Sequence, residues 1–476
     1  MGMANISVSF ADQEKFAELS GDYNPVHLDE ISARRTMFGR RIVHGVQLAI
    51  LGLDHYFRHY PSLARLSYLK ATFRTAVSPG EQLSVTCEDE AKDSKIINIF
   101  QGSDKALVLE FKLEPVDELA TSESLDLGLP PKEECEYLDT SEIFAASGAC
   151  ELFLDEDICA SLFPHLIKSI SAWQLAAVLS TTRIIGMKCP GLNSIFASLE
   201  INFLQQSKQS NQLAFGVNIF DQRTSRVLID VQNADLKGTL TAFVRPQPRT
   251  QPLISEIANS VSPDCFSDQK ALIIGGSRGV GEVAAKIVSA GGGDACITYA
   301  EGKVDASKVV DEILAAGERA SYIHLDVLSD EMPELDDKLR SGWHPTSLYY
   351  FATPQIFVGK KNEFSSTLFE NFSRFYIHSL IKLLERLSSF DALPEKIYYP
   401  STVAIDDVPA GMGEYSAAKA AGEIAIKHWA YANKNTSVTI ERLPRMETDQ
   451  TMSLLRVPSE DILDVMVGSI KKFSST

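Results

Sequence analysis

Twice in its first half the chain runs through one order of elements: a polar loop, an apolar helix, then strands of alternating character. No other feature limits its fold so strongly. The first helix is "VHGVQLAILGLDHYF", followed by "LSYLKATFRTAV" and "EQLSVTCEDE". The second is "PHLIKSISAWQLAAVLSTTRII", followed by "SIFASLEINFL", "QLAFGVNIFDQ" and "RVLIDVQNADLKGTLTAFV". A helix followed by long antiparallel strands predicts a sheet wrapped on a central helix, and two in tandem predict a doubled version of it. The last part changes pattern. "KALIIGG" is an apolar strand running into glycines, followed by helix "GEVAAKIVSAGG", strand "DACITYA", helix "DASKVVDEILAAG" and strands "ASYIHLDV" and "SLYYFAT". Apolar strands alternating with helices predict a doubly wound parallel sheet.

Two polar stretches separate these parts. "DELATSESLDLGLPPKEECEY" is acidic and then Pro-Pro, with no apolar periodicity, and "RPQPRTQPLISEIANSVSPD" carries four prolines. Such stretches mark domain boundaries and leave segments of residues 1–120, 135–246 and 266–476. A 476-residue chain with 45% apolar and 23% charged residues is expected to be a soluble multidomain protein. Its net charge of −18 argues against nucleic-acid or anionic-membrane partners, which favour basic surfaces. The start, "MGMANISVSFADQEKF", is not read as a signal peptide, and no apolar run is long enough to span a bilayer, so a cytoplasmic location is expected. Seven scattered cysteines without a CxxC predict reduced thiols and no metal site.

Three constellations carry chemistry. "SGDYNPVHLD" sets Asp22 and His27 on either side of a turn shaped by Asn24 and Pro25. A carboxylate and an imidazole can divide proton removal and proton delivery. "GGSRGVG", residues 275–281, lies where a strand passes into a helix, so that backbone N–H groups and the helix N-terminus can face a pyrophosphate. "EYSAAK" places Tyr415 and Lys419 on one helix face, where an ammonium beside a phenol lowers the phenol's pKa from about 10. Upstream, "YYPSTVAID" offers Ser401 or Thr402 to orient the oxygen of a carbonyl.

The stretch "SGDYNPVHLDEISARRTMFGRRIVHGVQLA", with the later "FRTAVSPGEQL", closely resembles the signature of the MaoC-like (R)-specific enoyl hydratases, which have the hotdog fold. The resemblance implies that Asp22 and His27 hold a catalytic water, that Asn24 orients the loop or the water, and that the backbone N–H of Gly45 receives an enolate oxygen. His44 is expected to be held by helix-capping hydrogen bonds. The second segment lacks the signature. Its His165 and Ser194 read as structural, and its expected role is to complete a double hotdog and shape the acyl channel.

Residues from about Lys270 to Thr451 resemble the short-chain dehydrogenase/reductases, and "YAEGKVDASKVVDEILAAGERASYIHLDV" is similar to 3-oxoacyl thioester reductases among them. This resemblance implies an α/β Rossmann-like sheet and catalysis by Tyr415 and Lys419 with Ser401 or Thr402. It places Gly275, Ser277, Arg278, Gly279, Gly281 and Lys419 at a cofactor, with Asp326 beside its adenine. Arg278 points to NADPH, because a 2′-phosphate favours a nearby cation. It also implies a homodimer paired through the tyrosine helix. The family's Asn-Asn-Ala-Gly is here "YFAT", residues 350–353, and its catalytic-helix asparagine falls near His378 or Ser379. The combined expectation is a bifunctional enzyme acting on acyl-CoA or acyl-carrier-protein thioesters. The competing one is an acyl-thioester or carrier-protein binding protein with a degenerate reductase segment.

Overall fold

The computed structural model describes residues 4–89, 94–119, 128–204, 210–454 and 457–475. The Met-Gly start and part of the first polar stretch, residues 120–127, lie outside the described residues. Two compact units form, one of Met1–Gln247 with Ser453–Arg456 and one of Pro248–Met452 with Val457–Thr476.

The first unit is built on one ten-stranded sheet, made of β1 (Ala4–Ile6), β2 (Ala64–Phe73), β3 (Leu83–Asp89), β4 (Ser94–Gln101), β5 (Asp104–Pro115), β6 (Ser147–Glu151), β7 (Ser194–Phe203), β8 (Gln212–Asp221), β9 (Arg226–Gln232) and β10 (Leu236–Val244). Their order is β1-β3-β4-β5-β2-β7-β10-β9-β8-β6. Read from its own edge inward, each five-stranded half repeats the other: β1-β3-β4-β5-β2 against β6-β8-β9-β10-β7. The halves join through the antiparallel β2–β7 pair, from Tyr68 opposite Asn202 to Thr72 opposite Ser198. Residues 1–120 and 135–246 thus share one sheet.

Each half has its apolar helix. Gly45–His59 buries Val46, Leu48, Ile50, Leu53 and Phe57, and Ala172–Arg183 buries Leu175, Val178 and Leu179. Each fully buried side chain of this kind contributes about 1.5–3 kcal/mol. The second helix starts at Ala172, not at Pro164 as its sequence suggests. The N–H groups of His165 and Leu166 are instead taken by Asp54 Oδ1 at 2.8 Å each, which folds residues 164–171 as turns. At its far end the helix widens into a π-helical turn, Ile184–Lys188, of the kind that gathers at functional sites.

The second unit has a six-stranded parallel sheet of β11 (Lys270–Ile274), β12 (Asp294–Tyr299), β13 (Arg319–His324), β14 (Ser347–Tyr350), β15 (Lys396–Thr402) and β16 (Ser437–Leu443), in the order β13-β12-β11-β14-β15-β16. This is the doubly wound Rossmann order. Tyr349 and Tyr350 on β14, and Tyr398 and Tyr399 on β15, are fully buried. Their hydroxyls go to Gln269, Phe375 O, Ser469 and Tyr376 O, so none of these four phenols is left unpaired. Among the described residues, no helix is long and apolar enough to cross a membrane.

Candidate active sites

The turn carrying Asp22 and His27 is held from two directions. On its own side, Asn24 caps the short helix Pro25–Leu28, its Oδ1 accepting from Val26 N at 3.2 Å, and Asp22 Oδ1 accepts from Asn24 N at 3.2 Å. From the second half of the sheet, Thr182 donates its hydroxyl to Asp22 Oδ2 at 2.6 Å. The end of a helix leaves carbonyls without intrahelical donors. Here Asn24 Nδ2 serves one of them, donating to Gly186 O at 3.0 Å, and shares its two hydrogens with Gly191 O at 3.1 Å and Leu192 O at 3.3 Å just beyond the turn. Gly186 has to be glycine, because a Cβ there would fall inside the Asp22 carboxylate.

His27 Nδ1 lies 2.8 Å from Ile42 O, and a carbonyl can only accept. Nδ1 therefore carries the proton and Nε2 is left as the basic nitrogen. The ring stacks on His44 with centroids 3.7 Å apart. Asp22 is buried, and burial pushes its carboxyl above the ordinary range while His27 and Thr182 pull it back. Burial pulls His27 below its ordinary value, and Asp22 opposes that. Both groups are thereby driven towards neutrality and towards each other, which suits proton exchange.

His44 corrects one expectation. It is the N-cap residue of the Gly45–His59 helix, but its side chain makes no capping bond. Nε2 reaches the Asp22 carbonyl at 3.0 Å instead, and Nδ1 is buried without a partner. Gly45 follows as the first helical residue, so its N–H belongs to the turn that no intrahelical acceptor reaches. Its α-carbon faces Phe73, whose ring a Cβ would strike at 2.8 Å. His165 is exposed and Ser194 only begins β7. The signature half gave no hint of Thr182, Gly186 or Leu192. Their sequence, "TTRIIGMKCPGL", has no motif, and only its small residues mark a close approach.

In the second unit, Gly275 and Gly279 have φ of 77° and 60°, values in the left-handed region that favours glycine. A Cβ on Gly281 would collide with Gly275 O, so the helix Gly279–Ala290 can pack against its strand only without one. The turn is a cradle of backbone at a helix N-terminus, fitting a dinucleotide pyrophosphate. Thr448 of the loop after β16 approaches it, 3.6 Å from where a Gly279 Cβ would stand. Ser277 and Arg278 lie in the same turn, Arg278 as the helix N-cap residue. Asp326 is half-buried, with Oδ1 accepting from Leu328 N at 2.9 Å.

Tyr415 and Lys419 both lie on the helix Gly413–Ala432 and are buried. Thr402 is hydrogen-bonded to the Tyr415 phenol, whereas Ser401 donates to Glu423 Oε1 at 2.5 Å, a carboxylate also clasped by Arg442 at 2.9 and 3.0 Å. The structure thus separates the two hydroxyls that the sequence left open. The expected lowering of the Tyr415 pKa does not occur: burial pushes the phenol up, and Lys419 plays no part in the balance. Lys419 donates to Pro400 O at 2.7 Å and lies 4.1 Å over the Tyr376 ring. Burial draws its ammonium down to about 7, against the pull of Glu423.

Tyr376 belongs to a second π-helical turn, Arg374–His378, and its hydroxyl lies 2.6 Å from Thr353 Oγ1. His378 is exposed and Ser379 bonds to Tyr350, so neither occupies the place over Lys419. "YFAT" is accordingly one side of a tyrosine-tied core: Tyr350 and Thr353 fasten the π turn that carries Tyr376.

Residues 3–106 match the MaoC like domain family. The chain is similar to a 3-hydroxybutyryl-CoA dehydratase of Methylorubrum extorquens, 52% identical over 42 residues, 9% of this chain and 27% of that one. It is also similar to an (R)-specific enoyl-CoA hydratase of Aeromonas caviae, 36% identical over 80 residues, 16% of this chain and 59% of that one. In neither case does the match span two thirds of the relative. Among solved structures it is similar to a short chain dehydrogenase of Burkholderia cenocepacia in complex with NADP, with TM-score 0.36 and 22% identity, over 42% of this chain and 88% of that one.

Proposed function

We propose, from the premise that residues 3–106 form a MaoC-like domain, that the first unit is a double hotdog that interconverts (R)-3-hydroxyacyl and trans-2-enoyl thioesters. The observation that carries this reading is His27 with Nδ1 fixed on Ile42 O and Nε2 free, five residues from a buried Asp22 held by Thr182. In the hydration direction, water bound between Asp22 and His27 loses a proton to one of them, its oxygen bonds to Cβ, and the Cα–Cβ π electrons move towards the thioester. The enolate oxygen accepts from Gly45 N–H, and a proton from the second group completes Cα. Dehydration is the same sequence reversed.

The second unit is read as an NADPH-dependent reductase of 3-oxoacyl thioesters, giving the (R)-3-hydroxyacyl product that the first unit can dehydrate. The cofactor would supply hydride to the carbonyl carbon. The chain's residues would do the rest: the Gly275–Gly281 turn receives phosphates, Thr402 orients the carbonyl oxygen, and Tyr415 donates its proton to it. Arg278 would favour a 2′-phosphate, and Asp326 would stand beside the adenine. Ile424 and Tyr431, seven apart on the tyrosine helix and 65% and 79% exposed, offer an apolar stripe for pairing with a second copy. CoA or an acyl carrier protein would present the thioester, in the cytoplasm.

The test uses the full chain. Crotonyl-CoA absorbance should fall on hydration, and Asp22→Asn or His27→Ala should slow that loss by about 10²–10⁴-fold. Variants that keep the wild-type rate would remove the pair from the chemistry. NADPH oxidation with acetoacetyl-CoA, lost in Tyr415→Phe, tests the second unit. The position of Lys419 under Tyr376 favours a second reading, a reductase fold retained without activity. NADPH titration by fluorescence distinguishes them, because a silent scaffold with a blocked site would not bind.

A further inference from the structure

Arg245 directly follows β10, in the half of the sheet that lacks the signature. Its backbone N–H donates to Asn193 O at 2.8 Å, and its side chain is buried, 5% exposed. One terminal guanidinium nitrogen donates to Leu192 O at 2.6 Å, while Nε is buried with no partner. Among the described residues no carboxylate acts on this charge. Burial draws the guanidinium down to about 10, against the smaller opposing effect of the Cys135 thiol. A cation buried without a counter-ion is costly and is seldom kept for stability.

The carbonyl that receives Arg245 is the one that also receives Asn24 Nδ2. The guanidinium is therefore one oxygen away from the amide that caps the His27 turn. We infer that Arg245 is a positioning residue of the Asp22–His27 site, a fixed buried cation, supplied by the signature-free half, that holds the site ready for negative charge.

The groups facing His27 can be enumerated. The Asp22 carboxylate lies before it on the same turn, the His44 ring stacks on it from the start of the Gly45–His59 helix, and Ile42 O takes its Nδ1 proton. Burial holds His44 well below its ordinary value, so it carries no charge. Burial pushes the Cys135 thiol, which lies in the fields of both Asp22 and Arg245, up to about 12, so it too is neutral. Among the described residues Arg245 is then the one cation acting on His27, and it adds to the burial that keeps the imidazole unprotonated and able to accept a proton. When charge builds on the reacting thioester the same cation favours it. The catalytic consequence rests on the hydratase reading of the first unit; the electrostatic one does not.

Histidine-labelled full-length protein, with the His27 signal assigned by its loss in His27→Gln, separates the two. Arg245→Gln keeps a hydrogen-bond donor but removes the charge; Arg245→Met removes both, and Arg245→Lys keeps the charge. In the neutral variants the His27 midpoint should rise by at least about half a pH unit, and in Arg245→Lys it should stay near wild type. If wild-type His27 remains neutral down to acid unfolding, the neutral variants should bring its titration into range. The acidic limb of the crotonyl-CoA hydration profile should move up by the same amount. A midpoint unchanged in a folded neutral variant, or Arg245→Lys behaving as Arg245→Met, overturns the inference. Wild-type protein without hydration, but with the shift in the His27 signal, overturns the hydratase reading and leaves the inference standing.

Discussion

Both candidate sites set an acid and a base close together in sequence, with Asp22, Tyr415 and Lys419 buried and His27 half-buried, yet the pairs end differently. In the Asp22–His27 pair each group acts on the other, and burial outweighs their attraction, raising Asp22 and lowering His27. In the Tyr415–Lys419 pair neither group figures in the other's balance. The Lys419 ammonium is taken up by Pro400 O and the face of Tyr376, and its opposite charge is Glu423, one helical turn further on. Spacing i, i+4 brings two side chains to one face of a helix but does not decide what stands between their charged ends. A turn closed by hydrogen bonds from Ile42, His44 and residues 182–192 leaves less freedom.

The comparison can be broken most sharply at Gly186. Gly186→Ala should displace the Asp22 carboxylate and cut crotonyl-CoA hydration by about 10²-fold, the cost of a misplacement near 1 Å, while NADPH binding is unchanged. Hydration at the wild-type rate would show that Asp22 need not stay where Thr182 holds it.

A smaller effect should appear as pH dependence in the second unit. Lys419 has its folded-state pKa depressed to about 7, so it is charged below that pH and neutral above it. NADPH-dependent reduction should decline as pH rises through about 7. Because the unfolded chain binds more protons between about 7 and 10, this group's contribution to stability rises with pH across that window. A reduction rate flat from pH 6 to 9 would mean that Lys419 is not the titrating group.

The smallest effect separates the two hydroxyls. Thr402→Val should slow reduction, whereas Ser401→Ala should cost only about 1 kcal/mol of stability, seen as a lower denaturation midpoint, because its hydroxyl serves Glu423. Equal rates in both variants would deny Thr402 its role.

Much of this was legible in the sequence. The two helix-then-strands runs and the strand-helix alternation gave both sheets, because periodicity is a local property that records which face is buried. Local chemistry marked the turn of Asp22, Asn24 and His27 and the glycines of residues 275–281, since a turn or a strand-to-helix junction needs particular residues at particular offsets, but the catalytic roles of the first three rested on the resemblance to the MaoC-like signature. The His44 role was not legible: a histidine before a helix looks like a cap, and only the return of the Asp22 carbonyl to its Nε2 shows otherwise.

What the sequence determined alone was the inventory of chemistry, an acid and an imidazole on one turn and a phenol and an ammonium on one helix. The tertiary structure decided which partners those groups face. Thr182, Gly186 and Leu192 lie 160 or more residues from Asp22, and they act on its turn only because β2 pairs with β7. Burial, which sets whether a charge survives, is a property of that assembled surrounding.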